Sequence, residues 1–329
     1  MSLRIIKAGI LDTIQDTGRY GFQHLGINPS GAMDKYAMQQ ANALVGNRLD
    51  EAVIELHFPA SIFLFSKPAL IALSGADFSA SINGEPVSNL RCIVVNKNDA
   101  LQFHRPVSGT RTYLAVYGGL DIKSWLHSKS TNSKARVGGF EGRKLLKGDE
   151  IPLSTKKDFS YLLNEKKFKI FPWTAESNSI NKPYEIAILQ GNEWEQLTDE
   201  SKKIFSDTAF VITRLADRMG YRLGNNPLIS TVNDELISSA VTFGTIQLLP
   251  DGKLIVLMAD HQTMGGYPRL AHVITAHHTK LAQLRTGDGI SFKFTNLETA
   301  EDLLYKQQQY LQQLQNACIL RLQQYLHEN

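Results

Sequence analysis

Four polar segments punctuated by glycine carry the side chains most capable of chemistry. Asp260-His261-Gln262-Thr263-Met264-Gly265-Gly266-Tyr267-Pro268 follows the apolar run Leu254 to Met258. A strand fixes the polar groups at its end, so the segment is well placed for catalysis. Asp260 is suited to act as a base, Gln262 and Thr263 to donate to a developing oxyanion, and His261 to relay protons. Asp217-Arg218-Met219-Gly220-Tyr221-Arg222-Leu223-Gly224 sets one acid beside two arginines. That composition suits an anionic or amide substrate, or equally an internal ion-pair network. Thr13-Ile14-Gln15-Asp16-Thr17-Gly18-Arg19-Tyr20-Gly21 precedes Pro29-Ser30-Gly31-Ala32-Met33-Asp34. Here Arg19 can hold a carboxylate or phosphate in a two-pronged contact, or tie the loop through an Arg–Asp pair. The fourth segment, Ala41 to Asn47, is followed by Glu55 among apolar neighbours. Burial there requires a partner for Glu55 or raises its pKa.

No P-loop, Rossmann fingerprint, zinc spacing or nucleophile elbow is present. His277 and His278 are adjacent, so they share neither a helix face nor a strand face, and no metal site is expected.

The elements that must position these residues are mostly short strands. Ile62–Phe65, Leu70–Leu73, Ile93–Val95 and Tyr113–Tyr117 are apolar runs bounded by turn residues. Asn83-Gly84 and Pro250-Asp251-Gly252 each separate two such runs and predict hairpins. Many short strands at close spacing point to barrels or sandwiches rather than a βαβ array. A helix is predicted over Asp34 to Val45, with Asp34 as its N-cap and Gly46-Asn47 as its stop. A longer one is predicted from about Leu297 to His327. Its apolar stripe is Leu304, Leu311, Leu314, Cys318, Leu322 and Tyr325, and its other face is rich in glutamine. It packs on its own domain or serves as a partner-binding arm. The polar segment 153–184 reads as a break. Leu146-Lys147-Gly148-Asp149-Glu150-Ile151 before it is echoed by Leu284-Arg285-Thr286-Gly287-Asp288-Gly289-Ile290 near the end of the second half. Each is a Gly-Asp turn feeding a final strand.

Composition bounds the function classes. The chain has 329 residues, 35 Lys+Arg against 32 Asp+Glu, and 43% apolar residues. That is ordinary for a folded protein of about two domains, and the small positive excess argues against nucleic acid or an anionic membrane as partner. Two cysteines, Cys92 and Cys318, make no disulfide framework. No apolar run approaches membrane-spanning length, and Met-Ser-Leu-Arg-Ile-Ile-Lys-Ala lacks a signal-peptide core. A cytoplasmic protein is the expectation.

Together the segments resemble the biotin-dependent carboxyltransferase, or allophanate hydrolase second-subunit, family, which includes the C subunits of 5-oxoprolinase. The resemblance rests on Gln15-Asp16-Thr17-Gly18-Arg19, Ser30-Gly31-Ala32-Met33-Asp34, Ala41 to Asn47, Ser128-Lys129-Ser130-Thr131, Gly142-Arg143-Lys144-Leu145, Asp217 to Leu223, Gly244-Thr245-Ile246-Gln247 and Gln262 to Tyr267, in family order. It implies a mainly β fold with a few helices: a cyclophilin-like β-barrel domain at 1–155, a linker or surface excursion at 156–183, a second such domain at 184–295 and a C-terminal Gln-rich helix at 296–329. It implies a subunit of an ATP-dependent 5-oxoprolinase, a hydrolase opening 5-oxoproline to glutamate. The partners implied are a B subunit (KipI-like) and an A subunit (LamB/YcsF-like). ATP would be used by the complex rather than held by this chain alone. Homo-oligomerisation stays open.

Two alternatives accompany this reading. One is a carboxyltransferase moving a carboxyl group from carboxybiotin to a urea-like amide. Biotin would then come in trans, since the chain has no Ala-Met-Lys-Met-type site. The other is a non-enzymatic KipA-type binder of a KipI-like protein. Asp217, Arg218, Asp260, Gln262 and Tyr267 are the catalytic candidates. Gln15, Asp16, Arg19, Asp34, Thr263 and Gln247 are the substrate-binding candidates. The chain departs from the family pattern where His261 replaces a usual Arg, Met264 a usual Thr, His277 a common Asp and Thr286 a common Pro.

Overall fold

The computed structural model describes residues 2–163, 167–177, 184–224, 226–232 and 236–327. The chain divides into two compact units. The first comprises Met1–Arg19, Asp34–Asn178 and Gln308–Asn329; the second comprises Tyr20–Met33 and Ser179–Gln307. The division differs from the one expected along the sequence in two places. Residues 20–33 join the second unit, and the last two-thirds of the C-terminal helix join the first.

Two six-stranded sheets build the first unit. One runs Glu150–Pro152, Ser2–Lys7, Ile62–Phe65, Ala100–Phe103, Ala80–Ile82, Glu85–Pro86. The other runs Lys169–Thr174, Arg91–Val95, Ala69–Asp77, Ser108–Val116, Val53–His57, Thr13–Gln15. Alternation decides which side chains meet: Leu3, Ile5, Phe63 and Phe65 of one sheet join Ile54, Leu56, Ile71, Leu73, Leu114 and Val116 of the other in one core. Strand Ala69–Asp77 is apolar on both faces because both are covered. Its other face packs against the helix Lys35–Leu44, and Ser74 Oγ donates to Gln40 Oε1 at 2.7 Å. That helix starts where the sequence places it, with Asp34 accepting from Ala37 N at 3.0 Å.

The segment expected to be a linker is partly a strand. Lys169–Thr174 pairs antiparallel with Arg91–Val95, and Phe171 is fully buried. The charged residues on either side mask one short apolar register. Residues 164–166 and 178–183 of that segment lie outside the described residues.

The C-terminal helix spans Leu297–His327. Leu311, Cys318 and Leu322 of the expected stripe are buried, and Tyr325 meets the Phe171 ring edge-on at 4.9 Å. Leu322 rests against Gly46, which has φ +71° and where a Cβ would come within 3.0 Å of Leu322 Cδ1. Gln315 Nε2 donates to Asn47 O at 2.5 Å. Of the two roles the sequence allows, this part of the helix therefore packs on its own unit. Leu322→Ala is expected to lower the unfolding free energy by about 2–3 kcal/mol through the cavity left beside Gly46. Urea unfolding followed by tryptophan fluorescence measures it.

A closed barrel forms the second unit, in the order Tyr184–Gln190, Arg269–Val273, Thr245–Leu248, Leu254–Leu257, Gly220–Gly224, Phe210–Ile212, Gly289–Phe294. The ring closes by a parallel pairing of the last strand with the first. Ile186, Ile188, Ile212, Tyr221, Leu223, Ile246, Leu248 and Val256 fill it. Phe205 sits among Trp194, Phe210, Phe292 and Phe294 and anchors a helix, Asp199–Asp207, that the sequence reading missed. Thr198 caps it, accepting from Ser201 N at 3.2 Å.

The two echoed turns use one device. Asp149 accepts from Leu146 N at 2.7 Å, and Asp288 accepts from Arg285 N at 3.0 Å. Gly148 and Gly287 both hold φ near +90°, where only glycine is unstrained. The first turn delivers the edge strand Glu150–Pro152, which the later strand Lys169–Thr174 follows, and the second delivers Gly289–Phe294, which closes the barrel. The chain is mainly β, as the resemblance implies. Among the described residues no helix is long and apolar enough to cross a membrane.

Candidate functional site

In the second unit, the turn after strand Leu254–Leu257 lies against the loop before strand Gly220–Gly224. Backbone bonds fix the approach: Met258 N donates to Met219 O at 3.0 Å and Asp260 N to Arg218 O at 2.7 Å. The side chains then close on each other. Arg218 donates Nε to Asp260 Oδ2 at 2.8 Å and Nη2 to Oδ1 at 3.2 Å. This is a two-pronged, charge-assisted contact, and each side chain is only 12% exposed. Segment 28–31 completes it. Asn28 Nδ2 donates to Asp260 O at 3.0 Å, Ser30 Oγ to Asp260 Oδ1 at 2.6 Å, and Arg218 Nη2 to Gly31 O at 2.6 Å. Asp217 shapes the turn that presents Arg218, accepting from Met219 N at 2.8 Å and Gly220 N at 3.2 Å.

Two residues beyond Asp260, Gln262 reaches Gln247 (Nε2 to Oε1, 3.5 Å). Gln247 is fully buried, and its Nε2 donates to Tyr267 O at 3.3 Å. A methyl group at Gly265 would lie 2.8 Å from that Nε2, so glycine lets the loop pass over the amide. Thr263 takes part through its backbone, its O accepting from Val241 N at 3.2 Å. The Tyr267 side chain is 44% exposed. His261 is buried, with Nδ1 donating to Gln262 O at 2.5 Å.

Strand alternation puts Thr245 on the Gln247 face, away from Ile246 and Leu248 in the barrel core. Thr245 Oγ1 lies 3.3 Å from His272 Nδ1 and 3.3 Å from Thr242 Oγ1. Burial, aided by the nearby Arg269, holds His272 below the usual imidazole range. Sequence reasoning missed His272, Asn28 and the role of Ser30. Strand pairing and a loop contact bring them in, and no motif spacing announces either.

His277 serves the fold. Its Nδ1 accepts from Ala187 N at 2.8 Å, and burial, with Lys280 nearby, pushes its pKa from 6.5 down to about 4. The folded chain therefore binds fewer protons than the unfolded one between those values. Its contribution to stability is full above pH 6.5 and is lost as pH falls toward about 4. Gln accepts the same bond without titrating. His277→Gln is thus expected to flatten the fall in melting temperature across that window, as read by calorimetry.

The first unit gathers Gln15, Asp16 and Arg19 around residues 128–131. Asp16 Oδ1 accepts from Gly18 N (2.8 Å), Ser128 Oγ (2.8 Å) and Ser130 Oγ (2.5 Å), and Oδ2 accepts from Lys129 N (2.5 Å). Arg19 is buried, donates Nη2 to Ser130 O and lies 5.0 Å over the Trp125 ring. Gln15 Nε2 donates to Thr13 Oγ1 at 3.0 Å and Thr131 O at 3.2 Å. Asp34 belongs to a different cluster. Besides capping its helix, its N donates to Tyr113 Oη at 2.8 Å, and Tyr113 donates to the buried Glu55 at 2.9 Å. Tyr113 is the partner that burial of Glu55 requires. Among the described residues no group of three or more His, Cys, Asp or Glu is arranged to hold a metal ion.

A barrel whose strand ends carry an Arg–Asp pair and a Gln–Gln pair now has a family. The chain matches the carboxyltransferase domain, subdomains A and B, over residues 25–294 and belongs to that family. It is 35% identical to the 5-oxoprolinase C subunit of Escherichia coli (strain K12) over 312 residues, covering 95% of this chain and 97% of that one. Identity to the 5-oxoprolinase C subunit of Haemophilus influenzae is 34%, covering 92% and 94% respectively. The fold is also similar to the crystal structure of the Kluyveromyces lactis urea carboxylase. There the TM-score is 0.86 at 26% identity, covering 95% of this chain and 29% of that one.

Proposed function

We propose that this chain is the C subunit of an ATP-dependent 5-oxoprolinase and acts with a LamB/YcsF-like A subunit and a KipI-like B subunit. Its reaction is the opening of the 5-oxoproline lactam to L-glutamate. The observation that carries this reading is the mutual coverage: the similarity to the E. coli C subunit spans 97% of that protein, against 29% of the urea carboxylase chain.

The side chains of the second unit suit the chemistry. A lactam is planar and resonance-stabilised, and attack on its carbonyl builds negative charge on oxygen that preorganised donors must meet. The Gln262 carboxamide offers both a donor and an acceptor, complementary to a lactam C=O and N–H, and the buried Gln247 positions it. Asp260, oriented by Arg218, is the group proposed to take a proton, and Tyr267 is proposed to line the approach. Gln15, Asp16 and Arg19, buried against residues 128–131, are proposed to shape that loop of the first unit rather than to touch substrate. ATP consumption fits a partner that binds nucleotide, since this sequence has no phosphate-binding loop.

The test is reconstitution. The three subunits purified together should release glutamate from 5-oxoproline in step with ATP hydrolysis, and omission of this chain should stop it. The likeness to urea carboxylase favours a second reading, carboxyl transfer from carboxybiotin to a urea-like amide. Activity on urea that avidin abolishes would establish that reaction in place of the first. A stable complex without turnover on either substrate would leave the KipA-type regulatory role.

A further inference from the structure

The geometry points to Ser30 as the positioning residue of the Arg218–Asp260 pair: its hydroxyl fixes which carboxylate oxygen of Asp260 is committed and which can take a proton. Ser30 is a non-glycine residue at φ +56°, and Gly31 follows at φ +97°. A side chain is held in that sparsely populated region only when its surroundings over-determine it, and such positions cluster at functional sites. Here the surroundings are the pair itself. The bonds that join segment 28–31 to it include those from Asn28 to Asp260 O, from Ser30 to Asp260 Oδ1 and from Arg218 to Gly31 O.

These bonds divide the carboxylate unequally. Oδ1 accepts two hydrogen bonds, from Ser30 Oγ at 2.6 Å and Arg218 Nη2 at 3.2 Å. Oδ2 accepts one, from Arg218 Nε at 2.8 Å. A carboxylate oxygen has two lone pairs, so Oδ2 retains the capacity to receive a proton from an amide or a water. The guanidinium fork alone allows the carboxylate to tilt about the shared plane. The hydroxyl, approaching from a different element, removes that freedom. Ser30 is 2% exposed, so its role is exercised through Asp260 rather than on substrate. This inference rests on the proposed reaction for what Oδ2 deprotonates, and on the observed contacts for everything else.

Ser30→Gly and Ser30→Ala test it, each in the full chain assembled with its A and B subunits. Both remove the hydroxyl, but glycine also relieves the backbone, so Ser30→Gly should melt at the higher temperature of the two. Positioning predicts that both lower kcat about tenfold with KM within about twofold, whatever their melting temperatures. In the full chain labelled with carbon-13 at aspartate carboxyls, the Asp260 signal, assigned with Asp260→Asn, should move in both variants, since the hydrogen bond from Ser30 to Oδ1 is gone. Turnover that follows melting temperature, with Ser30→Gly restored to wild type, overturns the inference, as does an unmoved Asp260 carboxyl signal. A wild-type complex inert on 5-oxoproline whose Asp260 carboxyl signal still moves in the variants sinks the proposed reaction and upholds Ser30.

Discussion

Arg218→Ala is expected to lower the unfolding free energy by about 3 kcal/mol and to abolish coupled turnover. Removing one partner of a largely buried ion pair leaves the other charge without compensation, which costs about 3–5 kcal/mol in such sites. The lower end applies because both side chains keep some contact with water and Ser30 still donates to Asp260. The double variant Arg218→Ala with Asp260→Ala separates this cost from the worth of the pair. With neither charge buried, it should recover about half of the lost stability while remaining inactive. Chemical unfolding of the four proteins in the cycle gives the coupling energy. Full stability in Arg218→Ala with activity lost would mean that the guanidinium serves substrate alone. A double variant destabilised by the sum of the two single variants would mean that the two charges are not coupled.

How far the sequence carried these conclusions depends on the range of the contact involved. Local signals were legible. Asp34 as an N-cap, Asn83-Gly84 as a hairpin turn and the stripe of Leu311, Cys318 and Leu322 all report interactions within a few residues along the chain. The pairing of Arg218 with Asp260 was half legible. Residue types announced charge, but 42 residues separate the two, and only the barrel shows that they meet. What lay beyond reach were partners with ordinary neighbours in sequence. His272 sits in a strand whose polar face became visible only when Thr245 paired with it. Ser30 stood in a recognised motif, yet its backbone angle and its bond to Asp260 are properties of the fold. The strand Lys169–Thr174 was hidden for the opposite reason, because charged flanks outweighed one buried phenylalanine in any reading by composition. Tertiary pairing overrides local composition in such places, and the elements it creates are the ones that position the candidate site.

Asp16→Ala is expected to cost about 4 kcal/mol, because the Asp16 carboxylate is the hub of a closed loop. It accepts from two backbone N–H groups and two hydroxyls, while Asp16 N donates to Ser130 Oγ at 2.9 Å. Alanine leaves those donors buried or half-buried without an acceptor, and hydrogen bonds to a charged group are worth about 1.5–3 kcal/mol each before compensation by water. The graded variants fix the cause. Asp16→Asn keeps one acceptor oxygen but turns an NH2 toward other donors, so about 2 kcal/mol is expected. Ser130→Ala removes both of its bonds with Asp16 and should cost about 1–2 kcal/mol. Hydrogen exchange at residues 128–131 should accelerate in the same order, since Lys129 N and Ser130 N lose their acceptors or the group that orients them. The neighbouring Arg19, whose Nη2 donates to Ser130 O, should lose its fixed position over Trp125 as residues 128–131 loosen. Activity in the reconstituted complex would then fall in proportion to the folded fraction. Asp16→Ala with wild-type unfolding and exchange but no turnover would place the Asp16 carboxylate on substrate or on a partner subunit, and the loop it closes would be the consequence of that role rather than its purpose.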